Sequence, residues 1–367
     1  MTDDLIRRAS GARDRVLGWM QAQDFTGADP FDGLESRWFQ MSGLGRWRET
    51  RLVWLQILKH APGWMRHAAN IPTACNPKTL ALMLGSADGV AVCAVGDRLL
   101  SLQNSDGGWG YPFAWQARAF YAGRTQSNAI VTAFAVDGLI ANGLARNDPA
   151  MKRAADFMIR DLWRHGYFAY LGDDDTEIHN VSLWAAWALH QIRPDHEISH
   201  RAVVRAVAAQ RGDGSWSYGT RPHHRFVDGF HTGYLLDLLD RFRKAGMAGL
   251  DTPIARGLDF YRAQCFDTHG LPRTFAGRAG YIDTHAVAQA IGTLQRFGFK
   301  GPARDVMAFA LDRLFDDDRG LFYAGLGHVG PDRRVFMRWT QGWMVWALSI
   351  MIRAAQQQAD NDANPEF

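Results

Sequence analysis

Cysteine is scarce in this chain: three residues in 367, Cys75, Cys93 and Cys265, far apart and odd in number. That argues against a disulfide framework and against a multi-cysteine zinc site. Long apolar runs are missing too. No window approaches ~18 uninterrupted apolar residues, so no membrane span is expected. The opening MTDDLIRRAS has two acidic residues and no apolar stretch. That excludes an ordinary secretory signal, and a cytoplasmic location is the expectation. No run of five or six like charges occurs, and 41 basic against 38 acidic residues leave a net charge of only +3. A nucleic-acid partner is therefore not expected. Also absent are G-x-G-x-x-G after a strand, G-x-x-x-x-G-K-[ST], H-E-x-x-H and G-x-S-x-G. No cofactor and no metal is assigned, although His223, Asp228 and His231 are a conceivable ligand set.

Aromatic residues are present in quantity: 14 Trp, 21 Phe and nine Tyr, 12% of the chain. Many belong to a core, but some sit in polar, Gly-rich loops that recur. The loops are SDGGWGYP (105–112), RHGYFAYLGDD (164–174), RGDGSWSYG (211–219), DTHGLPRTF (267–275) and DDRGLFYAG (317–325). Their glycines, Gly108, Gly166, Gly214, Gly270 and Gly320, lie about 50 residues apart. A period of that size marks a repeated supersecondary unit.

Between the loops the apolar residues follow helical spacing, as in 128–144, 181–192, 200–210, 229–246, 284–298, 303–315 and 338–355. Alternating strand patterns are scarce. The count is about two helices per repeat and 11 to 13 in all. Paired helices form an open solenoid or a closed ring. An open solenoid needs polar capping repeats, and neither terminal helix looks different from the interior ones, which favours the ring. The expected fold is all-α, an (α/α)6 toroid of six helical hairpins over residues 1–357, with 358–367 as a flexible polar tail. The loops at one end of such a ring surround a central cavity.

Candidate site residues cluster at these loops and at helix starts. Trp109, Tyr111, Trp115, Gln116 and Arg118 combine flat faces that stack on sugar rings with groups that read hydroxyls and carboxylates. Glu177, His179 and Asn180 open one helix, with Glu177 and His179 as acid/base candidates. His224, Asp228 and His231 lie near the start of the next inner helix. Asp283 and His285 open the one after, with Gln289 one turn on. A His beside an Asp suits proton transfer, because the carboxylate fixes the tautomer and raises basicity. The plain structural alternative is that each Asp caps its helix. Arg338, Trp339, Gln341 and Trp343 surround the last helix start, and Asp29 and Asp32 lie in an early loop able to fold over the rim.

These segments together resemble the VpsJ-like proteins of bacterial exopolysaccharide clusters, which are related to six-hairpin glycosidase-type toroids. The resemblance rests on DPFDGL, WGYPFAWQAR, IHNVSLWAA, VDGFHTGY, IDTHAVAQAI and WTQGWMVWAL and spans nearly the whole chain. It implies a toroid with a role in making or modifying an exported polysaccharide.

The leading functional expectation is a carbohydrate-active enzyme. It would hydrolyse, lyse or epimerise an oligosaccharide or polysaccharide, with Glu177, His179, Asp228, His231, Asp283 and His285 as acid/base residues. For a uronate, Arg118, Arg225 or Arg338 would neutralise the sugar carboxylate. One alternative is a non-catalytic glycan-binding component of polysaccharide assembly. Another is a toroid like the terpene cyclases and prenyltransferases. The stretch 172–176 is similar to the Asp-rich element of class II terpene cyclases but has Gly172 at its first position. Such cavities are apolar, and the polar rim expected here ranks that alternative last.

Overall fold

The computed structural model describes residues 2–86 and 91–363. Fifteen α-helices account for most of them, and the strands are two or three residues long. Six helices form the inner ring: α5 (Pro77–Leu84), α7 (Ala129–Ala141), α9 (His179–Ile192), α11 (Gly229–Lys244), α13 (Thr284–Arg296) and α15 (Trp343–Ala363). Each packs on the next, and α15 returns to α5, so the ring closes. The outer layer is α1 (Thr2–Ala22), α6 (Ala91–Ser101), α8 (Pro149–Phe157), α10 (Glu197–Ala208), α12 (Asp251–Gln264) and α14 (Lys300–Arg313). Three further helices, α2 (Arg37–Met41), α3 (Arg48–His60) and α4 (Gly63–Ala68), interrupt the chain between α1 and α5. The expected toroid is thus present.

The closing contact is α1 on α15, the first long helix against the last. Helix α7 is apolar on all sides and buried from Ala129 to Val136. That fits an element wrapped by neighbours on every face. The outer helices are amphipathic, and a single core cluster runs through the whole ring. Helix α15 continues to Ala363, six residues into the stretch expected as a tail. Residues 364–367 lie outside the described residues, as does the side chain of Cys93.

The repeat has a physical basis that shifts its register by one residue at the first loop. Gly107, Gly166, Gly214, Gly270 and Gly320 all have left-handed φ, between 68° and 108°. Gly107, one residue before the expected Gly108, is therefore the first member. Two loops share the pattern Gln-x-x-Asp-Gly-x-Trp, at 103–109 and 210–216. Gln103 Nε2 donates to the carbonyls of Gly107 (2.9 Å) and Ala150 (2.8 Å). Gln210 Nε2 does the same to Gly214 (3.0 Å) and Pro253 (2.9 Å). Each Gln thereby joins the end of one outer helix to the first turn of the next. Trp109 and Trp216 drive inward and donate Nε1 to Leu99 O and Ala206 O, both at 2.8 Å. A Cβ on Gly107 or Gly214 would lie 2.3 Å from a carbonyl oxygen of the following outer helix. Only glycine meets both the φ and the close approach.

Candidate functional site

The inner helices begin at one end of the ring, and their N-caps surround a cavity of about 730 Å³. That volume lies within the roughly 300–1,000 Å³ common for small-molecule sites. The recurrent loops supply its wall at matching positions, four residues after each loop glycine: Tyr111, Tyr170, Tyr218, Thr274 and Ala324, with Phe275 beside Thr274. Phe31, Trp115, Phe230, Tyr234, Phe336 and Trp339 add further aromatic surface. The loops therefore face the cavity, as expected, but the surface they present is mainly aromatic. The polar rim anticipated from sequence is a minor part of it.

Four of the six proposed acid/base residues reach this cavity: Asp228, His231, Asp283 and His285. Asp228 is both a helix cap and the partner of a histidine. Its Oδ1 accepts the His231 backbone N–H at 2.8 Å, and its Oδ2 lies 2.6 Å from His231 Nδ1. An Nδ1–H donated to Asp228 leaves Nε2 as the basic nitrogen. Asp283 likewise caps α13, with Oδ1 accepting His285 N–H at 2.9 Å. Trp339 Nε1 donates to both of its oxygens, at 3.0 and 3.1 Å. Burial raises the Asp283 carboxyl to about 6, against the opposing effect of these hydrogen bonds. The capping reading and the chemical reading are compatible for both aspartates.

His285 is buried and stacks on Phe230 (4.6 Å) and Trp343 (4.5 Å). Its Nε2 lies 2.9 Å from Tyr234 Oη, and its Nδ1 has no partner among the described residues. Burial, then the positive charges of Lys78 and Arg338, holds it well below the usual imidazole range. It is a neutral ring, so its chemistry is hydrogen bonding and not charge donation. Phe230 lies between the two histidines, 3.9 Å from the His231 ring.

Tyr111, Trp115, Asn180, Arg338 and Trp339 also line the cavity. Arg338 is already committed: Nε and Nη2 hold Asp29 at 2.6 and 2.8 Å, both side chains buried. It is not free to bind a substrate carboxylate. Asp32 is similarly paired with Arg66. Asn180 Oδ1 is buried without a partner among the described residues.

The remaining candidates lie elsewhere. Trp109 is fully buried in the clasp described above, so it offers no face to a sugar. Trp343 is 1% exposed and packs beneath His285. Gln341 uses both ends of its amide on the backbone of Phe322. Gln116 is held by Arg51 and by the carbonyls of Ala117 and Phe120. Arg118 is exposed outside the cavity. His224 is buried against Tyr218, and burial lowers it to about 4. Glu177 forms a two-point pair with Arg205 at 2.7 and 2.6 Å, off the cavity. His179 sits 3.9 Å from it, buried and lowered by that burial. The Asp-rich stretch is structural: Asp174 caps its turn and pairs with Arg221, and Asp175 pairs with Arg164.

Sequence reasoning missed Lys78. Its Nζ lies 3.8 Å from the centre of the Phe134 ring and 5.3 Å from that of Trp343. It lines the cavity and has no carboxylate partner among the described residues. Burial, then the charge of Arg338, lowers it well below the usual lysine range. The only advance signal was a lysine at the start of the otherwise apolar PKTLALML. Lys59 and His60, from the end of α3, complete the mouth. His223, Asp228 and His231 do not form a metal-binding group, and no such group occurs among the described residues.

No family model matches the chain, and no curated protein matches it in sequence. Solved structures do. The type II terpene cyclase MstE from Scytonema, bound to geranylgeranyl dihydroxybenzoate as substrate, aligns with TM-score 0.61 and 12% identity. The alignment covers 97% of this chain and 99% of that one. A D-mannose isomerase aligns at 0.56 and 12%, over 76% of this chain and 86% of the other. The ent-copalyl diphosphate synthase from Streptomyces platensis aligns at 0.50 and 16%, over 82% and 54%. The shared feature is the helical toroid. At such identity it says nothing of the substrate, and the VpsJ-like resemblance stays at the level of the fold.

Proposed function

We propose that this protein is an acid–base enzyme that isomerises or cyclises an apolar, isoprenoid-class molecule. The observation that carries the reading is Asp283, a carboxyl raised to about 6 in the wall of an aromatic cavity. Burial favours its protonated form, and Trp339 Nε1 stabilises the carboxylate left after proton transfer. In the proposed reaction the Asp283 proton adds to an olefinic carbon, and the double-bond electron pair forms the new C–H bond. The neighbouring carbon becomes cationic, and aromatic faces stabilise such a charge. His231 Nε2, oriented by Asp228, then removes a proton from a carbon beside the cation, and that C–H pair closes a double bond. Asp283 regains its proton from His231 through solvent, so no co-reactant is needed. A chain that closes on itself between the two steps gives a ring. The fold similarity to MstE is consistent with this but does not carry it.

The test is incubation with farnesyl- and geranylgeranyl-bearing compounds, with products separated by gas chromatography and mass spectrometry. Conversion by the wild type and none by Asp283→Asn supports the reading. No conversion of any isoprenoid would remove it.

One observation favours a second reading, closer to the carbohydrate expectation. His231 and His285 flank Phe230, and Asn180, whose Oδ1 is unpartnered among the described residues, lines the same cavity. Two imidazoles and an amide suit proton transfer on a small sugar, as in aldose–ketose isomerisation or epimerisation. Exchange of a sugar C–H proton with D2O, seen by NMR and lost in His231→Ala, would support it. The aromatic lining and the neutral state of His285 place it second.

A further inference from the structure

Fourteen large hydrophobic side chains are exposed among the described residues, and seven of them fall within positions 38–64. Trp38 is 59% exposed, Met41 79%, Val53 60% and Trp64 74%; Leu44, Trp47 and Ile57 complete the set. They belong to the segment α2–α4, which stands outside the twelve ring helices. On α3, Leu55 and Leu58 turn inward, while Glu49, Val53, Gln56, Ile57 and His60 form one outward stripe. Scattered exposed hydrophobics are ordinary, but a concentration of this kind marks an interaction surface.

The three helices are tied to one another. Trp38 Nε1 donates to Ala68 O at 3.0 Å, which ties α2 to the end of α4. The 3-10 turn Leu44–Arg46 joins α2 to α3. The surface continues toward the cavity mouth. Arg51 lies over the ring of exposed Tyr121, and the exposed rings of Phe226, Phe275 and Tyr281 line the mouth itself. Lys59 and His60, at the end of α3, also line it.

Charge identifies the partner. Residues 37–67 contain six basic residues against the single acidic Glu49, a net of +5, whereas the whole chain carries +3. Arg66 is turned inward to Asp32, but Arg37, Arg46 and Arg48 are exposed. Tryptophan with cationic side chains on a helical surface is the pattern of segments that lie in a lipid interface, where anionic head groups meet arginine and indole rings settle at head-group level. A second copy of this chain would bring equal positive charges together.

We propose that α2–α4 docks this protein on an anionic membrane surface with the cavity mouth facing the lipid. The docking itself rests on the surface alone. Its corollary, that an apolar substrate enters the cavity from the membrane, rests on the isoprenoid reading above.

The test is co-sedimentation of the full chain with phosphatidylcholine vesicles containing or lacking phosphatidylglycerol, with no substrate present. Pelleting with the anionic vesicles, at least tenfold weaker with neutral ones, is expected. Two variants made on exposed residues, Met41→Ser/Trp64→Ser and Arg46→Glu/Arg48→Glu, should each weaken it at least tenfold. Both should retain wild-type circular dichroism and thermal midpoint. Absence of pelleting by the wild type would overturn the proposal, as would equal pelleting by both folded variants. So would a stable dimer in sedimentation equilibrium that the variants dissociate, because a second copy would then cover the surface. Because pelleting is read without turnover, failure of the isoprenoid reading leaves this result intact.

Discussion

Asp228 engages His231 twice, through Oδ1 to its backbone nitrogen and through Oδ2 to Nδ1. One carboxylate thus starts helix α11 and sets the tautomer of a side chain facing the cavity. Replacing Asp228 by Asn keeps a capping oxygen and removes the charge that orients the ring. Turnover should fall by about 10²–10⁴-fold, the usual contribution of a positioned base. Stability should change little, whereas Asp228→Ala should also lose about 1 kcal/mol of capping energy. Steady-state rates beside urea titrations of the two variants separate these effects. Equal losses of activity and stability in both would remove the positioning role.

The raised Asp283 carboxyl predicts a pH dependence with a definite sign. Its folded value of about 6 lies above the ordinary carboxyl value, so the folded state holds the proton more tightly. Stability from this group is fully present below about pH 4 and is lost as pH rises toward and past 6. Asp283→Asn should remove that decline and leave the protein about 1–3 kcal/mol more stable at pH 7, by the same linkage. Asp32, also raised to about 6, contributes a similar trend in both proteins. The difference between the two urea midpoint curves, measured from pH 4 to 8, therefore isolates Asp283. Activity in the wild type should fall above about pH 6, as the acid form is depleted.

Arg338 and Asp29 form a buried two-point pair joining the early loop to the last helix start. Arg338→Met leaves a buried carboxylate alone and should destabilise by about 3–5 kcal/mol. The double variant Asp29→Asn/Arg338→Met should recover part of that loss. A double variant no more stable than the single one in denaturant titration would show that the pair matters through packing alone.

The Gln–Trp clasps predict loss of stability with little change in substrate affinity. Gln210→Ala leaves the carbonyls of Gly214 and Pro253 without their donor and should cost about 1–3 kcal/mol. Trp216→Ala, at a fully buried indole, should cost about 3–5 kcal/mol. Calorimetric ligand titration beside thermal melting distinguishes this from a binding role for these tryptophans.

The ring is legible in the amino-acid sequence because two local signals repeat. Glycine at a left-handed turn and apolar residues at helical spacing depend on near neighbours only. Asp228, His231, Asp283 and His285 are legible for the same reason, since capping and three-residue spacing are local geometry. Glu177 and His179 carry the same local signature, yet they lie off the cavity. There Arg205, 28 residues later in the chain, claims both Glu177 oxygens.

The character of the cavity was decided only in three dimensions. Trp109 and Tyr111 are neighbours in one loop, yet one indole closes the outer layer and the other ring faces the cavity. Which way each ring points depends on helices far away in sequence. Lys78 gave almost no signal, because its meaning comes from Phe134, Tyr234 and Trp343 closing around it. The sequence by itself determined the helix pairs, their number and the capped ends at which chemistry is possible. Tertiary packing decided which polar groups stay unpaired at those ends and made the space between them aromatic, because burial and partner choice are properties of the closed ring and not of any one segment.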